Sequence, residues 1–368
     1  MTSASTSFPL GVIEGFFGRP WSWRDRADYA EFLNRYDFGF YIYAPKSDQL
    51  LRKHWRESWS PADWSELQGL RKVYAEHSVS FGVGLTPYGL QHAYTPGDAS
   101  RLAEKVRQIN SLEPDILAVL FDDIPLVSTG LAAIQATIVG DALAVSSAGS
   151  HFVCPTYYSD DPVLTKALGP MPENYLQDLG EQLPASVEVF WTGPKVCSET
   201  YSLEHLLDVT ARLGRKPFIW DNYPVNDGPR MCKHLHLRPP KQRKSLLEGS
   251  SGLAANPMNQ PELSKIALAC LASMMQDPSQ YCADDALTAA VSTLDNPALA
   301  RALLDDIQQF HEWGRSTFSA DNTEAYLEKY GRWDDPAAKE VVAWLRGSFE
   351  PDAALLAEFE EFAQQQSE

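Results

Sequence analysis

Two carboxylates stand side by side in Asp122-Asp123, directly after an unbroken apolar run from Ile116 to Phe121. Such a run reads as a strand buried on both faces, which puts the two acids at the mouth where the strand opens. Pro125 cannot donate to a ladder and is expected to end the strand just beyond them. Adjacent carboxylates in that position repel each other, so one holds its proton to higher pH while the other stays ionised. An acid and a base then share one place. The plainer reading of Asp-Asp is a helix N-cap or a turn, and the rest of the chain has to decide between the two.

The elements that would position the pair repeat one plan. Leu10 to Gly15 is a short apolar strand that breaks at the glycine-flanked turn Gly15-Phe16-Phe17-Gly18, and Ser22 is placed to cap a helix through Arg35. The second strand, Phe38 to Tyr43, ends in Ala44-Pro45-Lys46, and Ser60-Pro61 opens a helix to His77. Strands at Val79 to Leu85, His151 to Cys154, Val187 to Trp191, Lys216 to Trp220 and Gly252 to Ala255 complete the series. Helices are expected at 98–110, 131–145, 172–183 and 202–213. A basic, proline-bearing loop from His236 to Lys244 precedes the last strand.

About eight strand-helix units in a row predict a (β/α)₈ TIM barrel, an α/β fold whose site lies where the strands end. A lysine just past a strand is ordinarily a solvated surface residue, but Lys46 occupies the same structural place as the Asp pair. A doubly wound open sheet is the competing architecture, and it would not display polar and aromatic residues around a closed rim. From Pro261 onward the strand signal stops. Leu263, Ile266, Ala267, Cys270, Leu271 and Met274 repeat at helical spacing, as do Leu303, Ile307, Phe310 and Trp313, and Leu355, Leu356, Phe359 and Phe362 form a last helix. The expected division is a barrel domain over 8–260 and an all-helical C-terminal domain over 261–368.

Composition narrows the ligand. In 368 residues, 49 acidic against 31 basic side chains give a formal charge of −18, which repels nucleic acid and anionic membrane. Ten Trp, 15 Tyr and 16 Phe, several beside carboxylates and amides, suit a neutral sugar, although many cores are equally aromatic. The five cysteines are scattered, without metal-ligand spacing, and read as reduced thiols of a cytoplasmic protein. The first seven residues carry neither a basic region nor a long apolar run, so no signal peptide or membrane span is expected.

A neutral substrate and a rim of Lys, Tyr, Trp, Asn and Asp fit glycoside cleavage. Most glycosidases set two carboxylates roughly 5 to 9.5 Å apart across the scissile bond, and neighbours in sequence cannot easily flank a sugar. Adjacent acids suit a substrate-assisted route instead. One protonates the leaving oxygen, and the other steadies an acetamido group whose own oxygen attacks the anomeric carbon.

The motifs Gly15-Phe16-Phe17-Gly18-Arg19-Pro20-Trp21-Ser22, Tyr41-Ile42-Tyr43-Ala44-Pro45-Lys46, Trp55-Arg56-Glu57, Leu120-Phe121-Asp122-Asp123-Ile124, Trp191-Thr192-Gly193-Pro194-Lys195-Val196 and Ile219-Trp220-Asp221-Asn222 with Asn226-Asp227 stand in colinear order from about Leu10 to Asn256. Together they closely resemble glycoside hydrolase family 84, the β-N-acetylglucosaminidases that include the O-GlcNAcases. The resemblance implies a bacterial-type member with a catalytic domain and a helical tail. It implies a retaining exo-acting enzyme working through an oxazoline, with no metal or cofactor.

By position, Asp122 would orient the acetamido N–H and Asp123 would be general acid and then general base. Tyr158 and Asn222 would lie near the forming oxazoline, and Trp220 would wall the acetamido pocket. Gly15, Lys46, Asp227 and Asn256 would hold the hydroxyls, with Phe16 and Phe17 also counted as substrate-binding. The chain departs from the family pattern at Phe17, commonly Tyr, at the bulky Thr86-Pro87-Tyr88-Gly89, and at Tyr157, commonly Glu, all expected near the mouth. The partner is a GlcNAc-bearing glycoprotein, glycoside or oligosaccharide, and the helical region could pair two copies. Other readings are a catalytically weak GlcNAc-binding protein and an endo-acting, hyaluronidase-like enzyme.

Overall fold

The computed structural model describes residues 8–90, 93–124 and 130–357. Eight parallel strands close in sequence order into a barrel. They are β1 (Leu10–Glu14), β2 (Phe40–Tyr43), β3 (Ser80–Leu85), β4 (Ile116–Leu120), β5 (Ser150–Cys154), β6 (Val187–Trp191), β7 (Phe218–Asp221) and β8 (Gly252–Ala255). Closure is made by β1 on β8, with Gly11 opposite Ala254. Parallel strands need crossovers, and helices cover the outside of this barrel, which is why the strand sequences read as nearly continuous apolar runs.

The helix starts obey local chemistry. Ser22 and Asp25 form a reciprocal capping box on the helix Trp23–Arg35, and Ser60 caps Pro61–Glu76 with proline in its first turn. Thr95 and Asp98 make a second box, so that helix begins at Pro96 rather than at Asp98. A short helix not expected from the sequence, Pro162–Leu168, follows β5, capped by Asp161. The expected helix at 172–183 is shorter, at Tyr175–Gln182.

Phenylalanine rings fill the barrel interior. Phe152 lies 4.9 Å from Phe218 and 5.1 Å from Phe190, and Phe40 lies 5.9 Å from Phe218. Removing one such ring costs about 3 to 5 kcal/mol. Phe190 also supports Trp220 edge-on at 5.3 Å, so the core is continuous with the floor of the cavity above it.

The helix Pro261–Gln276 follows β8 and packs against the first helix. Tyr29 donates to the Pro261 carbonyl at 2.8 Å, and the Gln276 amide donates to the Tyr36 carbonyl at 2.9 Å. It therefore occupies the eighth place of the outer ring as well as opening the helical tail. The tail continues through Ala283–Val291, Pro297–Ile307, Ala320–Gly331 and Pro336–Leu345.

Leu303, Ile307 and Phe310 are buried as their spacing predicts, but Trp313 is 51 % exposed. The backbone opens into a π-helical turn over Gln308–Trp313, and the wider turn rotates Trp313 off the buried stripe. Pro125, Phe359, Phe362 and the amino-terminal residues 1–7 lie outside the described residues. Among the described residues no helix is long and apolar enough to cross a membrane.

Candidate active site

The carboxyl ends of the strands surround a cavity of about 260 Å³. Gly15, Phe17, Asp122, Asp123, Tyr158, Trp220, Asn222, Asp227 and Asn256 all line it. Arg52, Tyr88, Cys154, Val163, Leu164, Thr192 and Val196 are among the other residues that line it.

The adjacent acids turn to different neighbours. Asp122 is buried and pairs with the Lys46 ammonium from the end of β2, while its Oδ1 has no hydrogen-bond partner among the described residues. Asp123 accepts the Tyr158 hydroxyl at 2.7 Å from the end of β5. The backbone at Asp123 has φ of +54°, a left-handed conformation that costs about 1 to 2 kcal/mol for a residue with a Cβ. Neither acid is unpaired, because Lys46 reaches Asp122 from the end of β2, with β3 between, and Tyr158 reaches Asp123 from the neighbouring β5. Burial first, and then the Asp122 charge, hold the Asp123 carboxyl above its ordinary range, with Lys46, Tyr158 and Arg52 pulling the other way.

On the opposite side, a line of hydrogen bonds crosses four strand ends. The Gly15 N–H donates to Asn256 Oδ1 at 3.2 Å, and Asn256 Nδ2 donates to Asn222 Oδ1 at 2.9 Å. Trp220 Nε1 donates to the same Asn222 oxygen at 3.0 Å, and Asn222 Nδ2 donates to the Val196 carbonyl at 2.9 Å. Gly15 must be glycine here. A Cβ on it would fall 2.3 Å from the Trp220 ring. Asp227 accepts the Phe17 N–H at 2.7 Å. Burial pushes the Asp227 carboxyl up to about 6, against the lowering effect of that N–H.

Three sequence-based placements change. Phe16 does not line the cavity. It is buried in the core 5.6 Å from Trp21, and it meets the site only through its carbonyl, which accepts the Lys46 N–H at 3.3 Å. Tyr157 also faces away, with its hydroxyl on the carbonyls of Gly169 and Pro170 at 3.0 Å each. The chain bends at Thr156 and Tyr157, just past β5, and the bend sends Tyr157 toward those carbonyls while Tyr158 faces the cavity. Lys46 does not line the cavity either and meets it through its pair with Asp122, while Arg243, in the basic loop from His236 to Lys244, is buried on Asp221. Val163 and Leu164 were not anticipated because they ride on the short unexpected helix, whereas Thr192 and Val196 lie in a motif already singled out. Among the described residues no cluster of three or more His, Cys, Asp or Glu could hold a metal ion.

A sequence model of the β-N-acetylglucosaminidase family matches residues 10–309. The chain belongs to that family. It is 32 % identical over 280 residues to the protein O-GlcNAcases of Rattus norvegicus and Mus musculus. The match covers 72 % of this chain but only 30 % of the length of those relatives. The solved structure of an O-GlcNAc hydrolase mutant from Thermobaculum terrenum superimposes with a TM-score of 0.76 at 28 % identity. That match covers 92 % of this chain and 81 % of the other. At that coverage the superposition takes in most of the helical tail as well as the barrel.

Proposed function

We propose that this protein is a retaining exo-β-N-acetylglucosaminidase, O-GlcNAcase-like, that hydrolyses terminal β-linked GlcNAc by substrate-assisted catalysis. The observation that carries the reading is the unpartnered Oδ1 of buried Asp122, beside an acid whose proton affinity is raised. An acetamido N–H is the donor that oxygen lacks.

In this reading the acetamido carbonyl oxygen attacks the anomeric carbon while the bond to the leaving oxygen breaks. Asp123 gives its proton to that oxygen, and Asp122 takes the hydrogen bond of the amide N–H as positive charge develops on the acetamido group. Water, deprotonated by Asp123, then opens the oxazoline at the same carbon. Two inversions give retention. Trp220 would floor the acetamido pocket, Tyr158 and Asn222 would lie near the oxazoline, and Gly15, Phe17, Lys46, Asp227 and Asn256 would fix the sugar.

The size of the cavity supports one sugar and exo action. The chemistry is assigned to the barrel, and residues from Pro261 onward to its support. Five free cysteines support a reducing, cytoplasmic setting. Half-exposed Trp313 supports pairing of two copies through the helical region, which sedimentation of a Trp313→Ser variant would test. Release of a chromophore from an aryl β-GlcNAc tests the activity. A folded protein that releases none is not this enzyme.

A further inference from the structure

The line of hydrogen bonds from Gly15 to Val196 ends in a segment without regular secondary structure, residues 192–202. What holds that segment holds the Asn222 amide, because the Val196 carbonyl is its acceptor. Asp161 grips the Val196 N–H at 3.1 Å from one side. From the other side comes Arg243, only 1 % exposed, with both ends of its fork on Asp221 at 2.9 Å. Its remaining donors go to the carbonyls of Ser198, at 3.0 Å, and of Glu199 and Lys241. Tyr201 completes the clamp, with its hydroxyl 3.2 Å from both Asp221 Oδ1 and the Thr192 carbonyl.

A guanidinium that spends its donors on one carboxylate and three carbonyls ties the end of β7, the β6 loop and its own loop into one unit. Asp221 is the residue immediately before Asn222. The same arginine therefore fixes both the backbone that carries the amide and the carbonyl that receives it. With that carbonyl in place, one Asn222 N–H is consumed and the direction of the other is set.

We propose that Arg243, which lines no part of the cavity, is a positioning residue that sets the orientation of the Asn222 amide toward bound N-acetylglucosamine. This rests on the functional reading above. A double-mutant cycle on kcat/KM for an aryl β-GlcNAc tests it. Arg243→Lys keeps the charge but loses the fork, and is expected to lower kcat/KM about tenfold in the parent and less than about twofold in an Asn222→Ala background. A general loss of packing would act equally in both.

Should Arg243→Lys fail to fold, Tyr201→Phe removes one hydroxyl of the same clamp. It is expected to cost about threefold, with the same dependence on Asn222. Equal factors in the two backgrounds, or an unchanged kcat/KM in the folded variants, overturn the proposal. If the parent binds GlcNAc by calorimetry but does not turn over, the functional reading falls, and the cycle is read on Kd with the same expectations. A parent that neither binds nor turns over sinks both.

Discussion

The hydroxyl of Tyr158 donates to Oδ1 of Asp123 across 2.7 Å, from the strand end next to the one that carries the acid. A donor to the carboxylate form favours its ionisation, so this bond opposes the burial and the Asp122 charge that raise the Asp123 carboxyl. Removing it shifts the balance further upward. In a Tyr158→Phe variant the alkaline limb of kcat/KM is expected to move to higher pH, with a fall of about tenfold in rate on unactivated leaving groups. A pH–rate profile on one aryl substrate checks it, and a limb moving the other way would mean that the bond serves the protonated form.

Lys46 and Asp122 are buried together, so deleting one leaves the other a buried charge without its partner. Lys46→Met is expected to cost about 3 kcal/mol in denaturant unfolding. The double variant Lys46→Met with Asp122→Asn should regain most of that stability and none of the activity. Recovery of turnover in the double variant would remove Asp122 from the mechanism.

Gly15→Ala inserts a methyl where the Trp220 ring already stands. The ring has no slack below, since it rests on Phe190. KM for the aryl glycoside is expected to rise at least about tenfold, and the overpacked floor is expected to cost about 1 to 3 kcal/mol of stability. Steady-state kinetics alongside a thermal scan separates the two effects.

Asp227 titrates near 6, above the ordinary carboxylate value of about 4. A raised folded value means that the folded state binds more protons between those limits. The stability from this group is therefore fully present below about 4 and lost as pH rises through about 6. Sugar binding runs the opposite way, because the ionised carboxylate is the better acceptor for hydroxyls. KM is expected to fall as pH rises through about 6, and to lose that dependence in Asp227→Asn.

The barrel was legible because its signal is redundant. Most of the eight strands are largely apolar and run out into polar, glycine or proline residues, so an error in any one does not disturb the count. The acids, Lys46, Asn222 and Asn256 were legible for a related reason, since each follows closely on the end of its strand, whereas Trp220 lies inside β7 and Asp227 stands further along the loop after it. Side-chain direction was harder to read. Phe16 and Tyr157 each stand next to a residue that faces the cavity, but both lie in irregular backbone past the ends of β1 and β5, where no strand period tells which way a side chain points.

The helix Pro162–Leu168 was hidden by Asp160-Asp161-Pro162, which reads as a turn until Asp161 is seen capping Val163. Trp313 was misread for another local reason, because a helical period cannot foresee a π-helical turn. The bond between Arg243 and Asp221 spans loops 22 residues apart, and no periodicity signals such a contact.

In the proposed mechanism the substrate supplies its own nucleophile. Replacing the acetamido methyl hydrogens of an aryl β-GlcNAc with one, two and three fluorines and measuring kcat/KM for each puts that to the test. Fluorine drains electron density from the carbonyl oxygen, so the rate is expected to fall steeply with every substitution. A rate indifferent to fluorination would mean that a side chain or water attacks the anomeric carbon, and the substrate-assisted mechanism would be wrong.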